Sequence, residues 1–176
     1  MLKLKVDFWK TSLDVPVVLP RNIGVIGKPD ELLMTFDTGA YMTVIDSFTL
    51  KRAGYDVDAG RDARVDTVGN SGLKAKEIVL HNLELLDMTG LRISLGPVLV
   101  YAIDMSDTFT TGVLGLNVIR EFETSIRFGS PTVIELMPTF DINAPVKLDS
   151  FMPYVSRFGT WSKDSIYTCT HVRSLK

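Results

Sequence analysis

The apolar run at residues 32–36 ends in a single carboxylate, Asp37, and this junction constrains the fold most strongly. Thr38, Gly39 and Ala40 follow it at once. A short apolar run bounded by turn residues is typical of a buried strand, so we expect the acid at a sharp bend where the strand ends. Gly39 would let backbone amides approach the carboxylate, and the Thr38 hydroxyl can hydrogen-bond locally. Alone, this pattern also fits an ordinary Asp-Gly turn.

Short apolar runs separated by turn residues recur along the chain and predict a mainly β fold. The predicted strands lie near residues 2–6, 15–19, 32–36, 43–46, 65–68, 73–80, 83–85, 91–95, 98–103, 124–128 and 132–136. A glycine-containing turn at residues 69–72 predicts that two of them form a long hairpin. Two short helices are predicted, over residues 48–53 after an N-cap at Ser47 and over residues 118–122 after an N-cap at Asn117.

The composition is that of an ordinary globular domain, and it narrows the possible partners. The 176 residues fit one domain, and the formal net charge is −2. Such a charge offers no basic field for nucleic acid, and no apolar run reaches membrane-spanning length, so neither partner is expected. Cys169 is the single cysteine, which favours a reducing, cytoplasmic setting. With His81 and His171 it makes no spaced zinc motif, so no metal is expected.

Three features occur in a fixed order along the chain. They are Phe36-Asp37-Thr38-Gly39-Ala40 at a strand end, the glycine-tipped hairpin, and Val113-Leu114-Gly115 before a short helix. In this order they resemble the retropepsin-like aspartic proteases, the single-lobe group that includes the retroviral enzymes. The resemblance implies a closed retropepsin-like acid protease barrel with one or two short helices over residues 1–136. Residues 137–176 would then be an extension that forms an interface or lid, or orders only partly.

The resemblance also implies a catalytic role for Asp37. One lobe supplies one catalytic aspartate, and the chain contains a single Asp-Thr/Ser-Gly sequence, so an identical partner would supply the second carboxylate across a two-fold axis. Two carboxylates held close together share one proton, and the pair can activate a water and polarise a peptide carbonyl. We therefore expect a homodimeric aspartic endopeptidase that acts on a polypeptide substrate without a metal or other cofactor.

The residues after Asp37 take further roles from the same resemblance. Thr38 resembles the threonine whose hydroxyl bonds across the dimer axis, and Gly39 the glycine that lets amides approach the carboxylates. Ala40 stands where many acid-acting relatives have a serine that hydrogen-bonds to the carboxylate and lowers its pKa. We therefore expect activity at mildly acidic or near-neutral pH.

The hairpin resembles the flap that covers the substrate in this family. Val68, Gly69 and Asn70 are expected near its tip, where small residues let the backbone approach a bound peptide. Two alternatives stay open at this stage. The chain could be a protein-binding or dimerisation module that has the fold but does not cut. It could also be an auto-inhibited precursor in which residues 137–176 hold a monomer inactive.

Overall fold

The computed structural model describes residues 1–9, 12–67, 70–108 and 110–139. Within these residues the chain forms strands β1 (Leu2–Lys5), β2 (Asp7–Trp9), β3 (Ser12–Leu19), β4 (Asp30–Phe36) and β5 (Val44–Asp46), helix α1 (Ser47–Arg52), strands β6 (Arg61–Thr67), β7 (Asn70–Leu80), β8 (Glu84–Leu86), β9 (Arg92–Ser94), β10 (Val98–Ile103) and β11 (Gly112–Leu114), helix α2 (Leu116–Ile119), and strands β12 (Phe122–Arg127) and β13 (Val133–Pro138). The prediction of a mainly β fold with two short helices is confirmed.

The strands form two sheets. The larger sheet has the order β6-β7-β10-β5-β11-β4-β3-β8-β9, with β2 also paired to β3, and the smaller sheet has the order β1-β13-β12. Across the described residues the large sheet is an open path from β6 to β9, so closure of the barrel stays a prediction.

Strand β11 lies between two strands that are neighbours in sequence. It pairs in parallel with β4, where Val113 faces Thr35, and antiparallel with β5, where Val113 faces Val44. Residues 37–43, which connect β4 to β5, must therefore pass over the end of β11. This insertion places the start of α2 directly beside the connection that begins with Asp37.

The two faces of β4 differ, as the period of a strand requires. Leu32, Met34 and Phe36 enter the main core, while Leu33 is exposed and Thr35 is half-buried. Burying each such apolar side chain stabilises the fold by about 1.5–3 kcal/mol. The same core includes residues of β3 and of the small sheet, among them Val15, Val17, Leu19, Leu2, Leu4, Ile134 and Leu136. Residues 35 and 37 are therefore placed on the face away from this core.

Both helices begin earlier than predicted. Asp46, not Ser47, caps α1, because its Oδ2 accepts from the backbone N–H of Thr49 at 2.9 Å. Helix α2 begins at Leu116 after Gly115 and ends at Ile119, so the predicted span 118–122 is wrong. The side chain of Asn117 is occupied elsewhere and cannot cap the helix, and Phe122 already begins β12.

The predicted hairpin is present as β6 and β7, with a register irregularity between Val65 and Thr67. The expected tip residues Val68 and Gly69 lie outside the described residues, as do residues 140–176 of the proposed extension. Strand β13 runs to Pro138, two residues beyond the expected domain boundary at 136. Among the described residues no helix has the length and apolar character needed to cross a bilayer.

Candidate active site

Asp37 follows β4 immediately and is half-buried. Its Oδ1 accepts a hydrogen bond from the backbone N–H of Gly39 at 2.8 Å, and its own N–H donates to the Leu114 carbonyl at 3.1 Å. A Cβ added to Gly39 would lie 3.1 Å from that same Oδ1, tighter than ordinary contact. The loop backbone thus fixes the carboxylate, as the sequence predicted for a glycine at this position.

The first residues of α2 donate hydrogen bonds to the connection between β4 and β5, which carries Asp37. The Leu116 N–H donates to the Ala40 carbonyl at 2.8 Å, and the Asn117 N–H donates to the Tyr41 carbonyl at 3.2 Å. Backbone groups at a helix start lack intrahelical partners, so they are free to bind another segment. Two of these donors therefore hold the connection that carries Asp37.

The side chain of Asn117 ties three segments together. Its Oδ1 accepts from the Thr43 N–H at 2.7 Å and from the Thr43 hydroxyl at 2.8 Å, and its Nδ2 donates to the Leu99 carbonyl at 2.9 Å. The Thr43 hydroxyl in turn accepts from the Gly115 N–H at 3.1 Å. The sequence analysis missed this role. An amide inside an otherwise apolar segment must find partners when it is shielded from water, and that signal could have revealed it.

Gly115 is required by close approach of the backbone. A Cβ at this position would lie 2.5 Å from both the carbonyl carbon and oxygen of Met42 and 2.8 Å from the Thr43 nitrogen. Any side chain would push the loop away from α2. The glycine therefore supports the loop sterically and contributes no chemical group.

For the other predicted site residues, the described part of the structure shows exposure and backbone pairing but no side-chain hydrogen bond to Asp37 that would assign a role. Thr38 is exposed, and its hydroxyl makes no hydrogen bond to the residues that the structure describes. Ala40 is half-buried. The backbone of Asn70 pairs with Thr67 at the end of the hairpin. In the sheet order, strands β10, β5 and β11 lie between β7, which carries Asn70, and β4, which Asp37 follows.

Strand register places a continuous line of side chains across the large sheet. We call this line the cross-sheet row, and successive members are paired as Arg61, Glu77, Tyr101, Val44, Val113, Thr35 and Asp14. Directly paired residues share a face of the sheet, and Thr35 lies two residues before Asp37. The row therefore lies on the face that carries the candidate catalytic carboxylate. Its two central members are apolar, and its ends are polar.

Two members of the row, Glu77 and Asp14, are buried carboxylates in different surroundings. Glu77, 2% exposed, is bound by Arg61 through Nε at 2.6 Å and Nη2 at 2.5 Å. Burial, together with the nearby Glu77 carboxylate, raises the pKa of the Tyr101 phenol. At the far end Asp14, 8% exposed, accepts from the hydroxyls of Thr35 at 2.9 Å and Ser12 at 3.2 Å. The sequence analysis assigned no role to either acid.

In the described part of the chain, no group of three or more His, Cys, Asp or Glu side chains is arranged to hold a metal ion. The candidate site therefore consists of the Asp37 carboxylate, the backbone around it and the cross-sheet row.

Comparisons with known proteins identify the fold and the family. A crystal structure of a retropepsin-like aspartic protease from Rickettsia conorii matches 77% of this chain and 88% of that chain, with a TM-score of 0.53 at 15% sequence identity, which shows the fold. The retroviral protease-like domain of Ddi1 from Leishmania major matches 76% of this chain and 99% of that chain, with a TM-score of 0.42 at 16% identity. No curated protein matches the chain.

The aspartyl protease family model matches residues 24–118, more than half of the chain. The matched segment includes the Asp37 loop, the hairpin, β11 and most of α2. The chain therefore belongs to the aspartyl protease family and has the retropepsin-like fold.

Proposed function

We propose that this protein is an aspartic endopeptidase in which two identical chains each contribute Asp37 to one peptide-cleaving site. The observation that carries the proposal is a half-buried carboxylate that the Gly39 amide holds through Oδ1. Its Oδ2 receives no hydrogen bond from the described residues, so it remains available to a water or a substrate. Thr38, in the same loop, is exposed, so its hydroxyl could hydrogen-bond to the partner chain in the proposed dimer.

In this mechanism the two carboxylates share one proton. The charged carboxylate takes a proton from a bound water as the water oxygen attacks the peptide carbonyl carbon. The protonated carboxylate gives its proton to the carbonyl oxygen. As the tetrahedral diol collapses and its carbon–nitrogen bond breaks, the carboxyl group that took the water proton gives it to the leaving amine. A hydroxyl of the diol returns a proton to the other carboxylate, which restores the shared proton. Each chain supplies the carboxylate and the loop that fixes it.

The direct test compares wild type with Asp37→Asn on a diverse peptide library. We expect the variant to lose about a thousandfold in kcat/KM, since an amide cannot act as the general base. Asp104→Asn is the matched control, because Asp104 also follows a buried strand and its Oδ1 also accepts from a backbone N–H two residues on, that of Ser106, at 3.0 Å. If wild type cleaves no peptide faster than the Asp37→Asn background, catalysis through Asp37 is refuted and the non-cleaving module is favoured.

The shared site has its own test. Adding an excess of Asp37→Asn chains to wild type should reduce activity as subunits exchange, because mixed dimers carry one catalytic carboxylate. Sedimentation at the same concentrations should show a dimer. A wild-type monomer that retains full activity would refute the two-chain site without refuting the hydrolase.

A further inference from the structure

Asp14 is a buried carboxylate that the proposed mechanism does not use. It is 8% exposed, and hydroxyl groups of Thr35 and Ser12 donate to its two oxygens. Among the Lys, Arg and His side chains that the structure describes, none forms an ion pair with it. Burying a carboxylate without a cation is costly. The buried Glu77 carboxylate of the same row is paired with the Arg61 cation. The lack of a described cation beside Asp14 therefore suggests that a ligand supplies the positive charge.

The position of Asp14 relative to Asp37 follows from the register. Asp14 faces Thr35 across the β3–β4 pair, and Thr35 lies two residues before Asp37. Facing residues are about 5 Å apart and alternate residues of a strand about 7 Å apart, which puts the Asp14 and Asp37 backbones about 8 Å from each other. This is the range of a substrate residue next to the bond being cut.

The Thr35 hydroxyl is oriented by Asp14. The hydroxyl donates its one proton to Asp14 Oδ1 at 2.9 Å, so it can only accept a hydrogen bond from a substrate bound beside Asp37. The Thr110 hydroxyl, 3.5 Å from that of Thr35, likewise gives its proton away, to the Gly112 carbonyl at 2.7 Å. The surface beside Asp37 thus presents hydrogen-bond acceptors with a negative charge behind them.

We infer that Asp14 and Thr35 form a subsite that selects a basic side chain, Lys or Arg, adjacent to the scissile bond. This inference rests on the proposed endopeptidase function. The methylene stem of such a side chain would cover Val113, the next member of the row, while its cationic head would reach the Thr35 hydroxyl and the carboxylate behind it. An acidic substrate side chain at this position would be repelled.

The first test uses the wild-type protein and peptides that are cleaved in the library. Each peptide is made with Lys, acetyl-lysine or Glu at the residue before and at the residue after the cut. At one of these positions we expect Lys to exceed acetyl-lysine at least tenfold in kcat/KM, with Glu lowest. Equal rates for Lys and acetyl-lysine at both positions would overturn the inference whatever any variant does.

The second test uses Asp14→Asn, which keeps an oxygen that can accept from Thr35. We expect this variant to lose about tenfold to a hundredfold in the ratio of kcat/KM for the Lys peptide to kcat/KM for the acetyl-lysine peptide. Glu31→Gln is the control, because Glu31 lies on β4 four residues before Thr35 and on the same face of that strand, and it should leave this ratio unchanged. An equal loss on both peptides would show that Asp14 is only structural.

Two further measurements keep failure of the inference distinct from failure of the proposed function. Thr35→Val provides a second variant should Asp14→Asn not fold, and it should also reduce the preference for Lys. Binding of the Lys and acetyl-lysine peptides to Asp37→Asn reports the subsite without cleavage. Tighter binding of the Lys peptide supports the subsite even if no peptide is cut, and equal binding overturns it.

Discussion

The loop that carries Asp37 and the β6–β7 hairpin are held in place by different kinds of interaction. The loop is supported by neutral backbone and amide hydrogen bonds from α2 and Asn117, and by the close approach of Gly115. The hairpin depends on charges, with Arg61 bound to Glu77 and Lys76 bound to Asp62 at 2.8 Å. Salt screens an exposed charge pair such as Lys76–Asp62, but it affects buried pairs and neutral hydrogen bonds much less. The candidate catalytic geometry is thus separated from an element whose stability can vary with ionic conditions.

The largest effect is expected at the base of the hairpin. Arg61→Met should lower the free energy of unfolding by about 3 kcal/mol, because it leaves the nearly inaccessible Glu77 carboxylate without its cation. Chemical denaturation measures the change. Adding Glu77→Gln to this variant should recover a large part of the loss. If the double variant is no more stable than the single one, the hairpin is held mainly by packing and the contrast with the loop fails.

An intermediate effect is expected at the loop support. Gly115→Ala should lower the free energy of unfolding by about 2 kcal/mol, since its Cβ would meet the Met42 backbone at 2.5 Å. It should also reduce kcat, because the loop must shift to make room. Gly129→Ala is the matched control, with its nearest contact at 3.7 Å. The loss from Gly115→Ala should be the same in low and high salt. A salt-dependent loss would break the comparison.

The smallest effect is expected from Lys76→Met on the hairpin. Hydrogen bonding and charge attraction from Lys76 lower the pKa of the Asp62 carboxyl, so the variant should return that pKa toward its ordinary value. An Asp with a lowered folded-state pKa stabilises the protein above its unfolded pKa of about 4, and this contribution is lost as pH falls below it. The difference between wild type and variant should therefore vanish in acid and in 1 M salt. NMR titration measures the pKa of Asp62 in each protein, and chemical denaturation at each pH and salt concentration measures the difference in stability.

Local patterns predicted the elements but not their long-range pairing. The alternation of apolar and polar residues located the strands, and the order of the Asp37 loop, hairpin and β11 predicted the family fold. The insertion of β11 between β4 and β5 depends on contacts far apart in sequence, and so does the cross-sheet row. Asp14 directly precedes the predicted strand at residues 15–19, and only its register with Thr35 brings it near Asp37.

Side-chain competition also could not be predicted from local sequence. Ser47 and Asp46 are both good N-cap residues, and which one acts depends on where the backbone turns into the helix. Asn117 suits a cap equally well, yet its amide is taken by Thr43 and Leu99. These choices follow from tertiary contacts, which one-dimensional patterns do not contain.

The insertion of β11 has a consequence for biosynthesis. The Asp37 N–H bonds to the Leu114 carbonyl, and the loop rests on residues 115–117, all of which leave the ribosome long after residue 37. A nascent chain that ends before residue 112 cannot hold this carboxylate in its final geometry. On the proposed function, we expect cleavage activity to arise only when translation of the domain is nearly complete, so that partly made chains would not cut proteins of the producing cell.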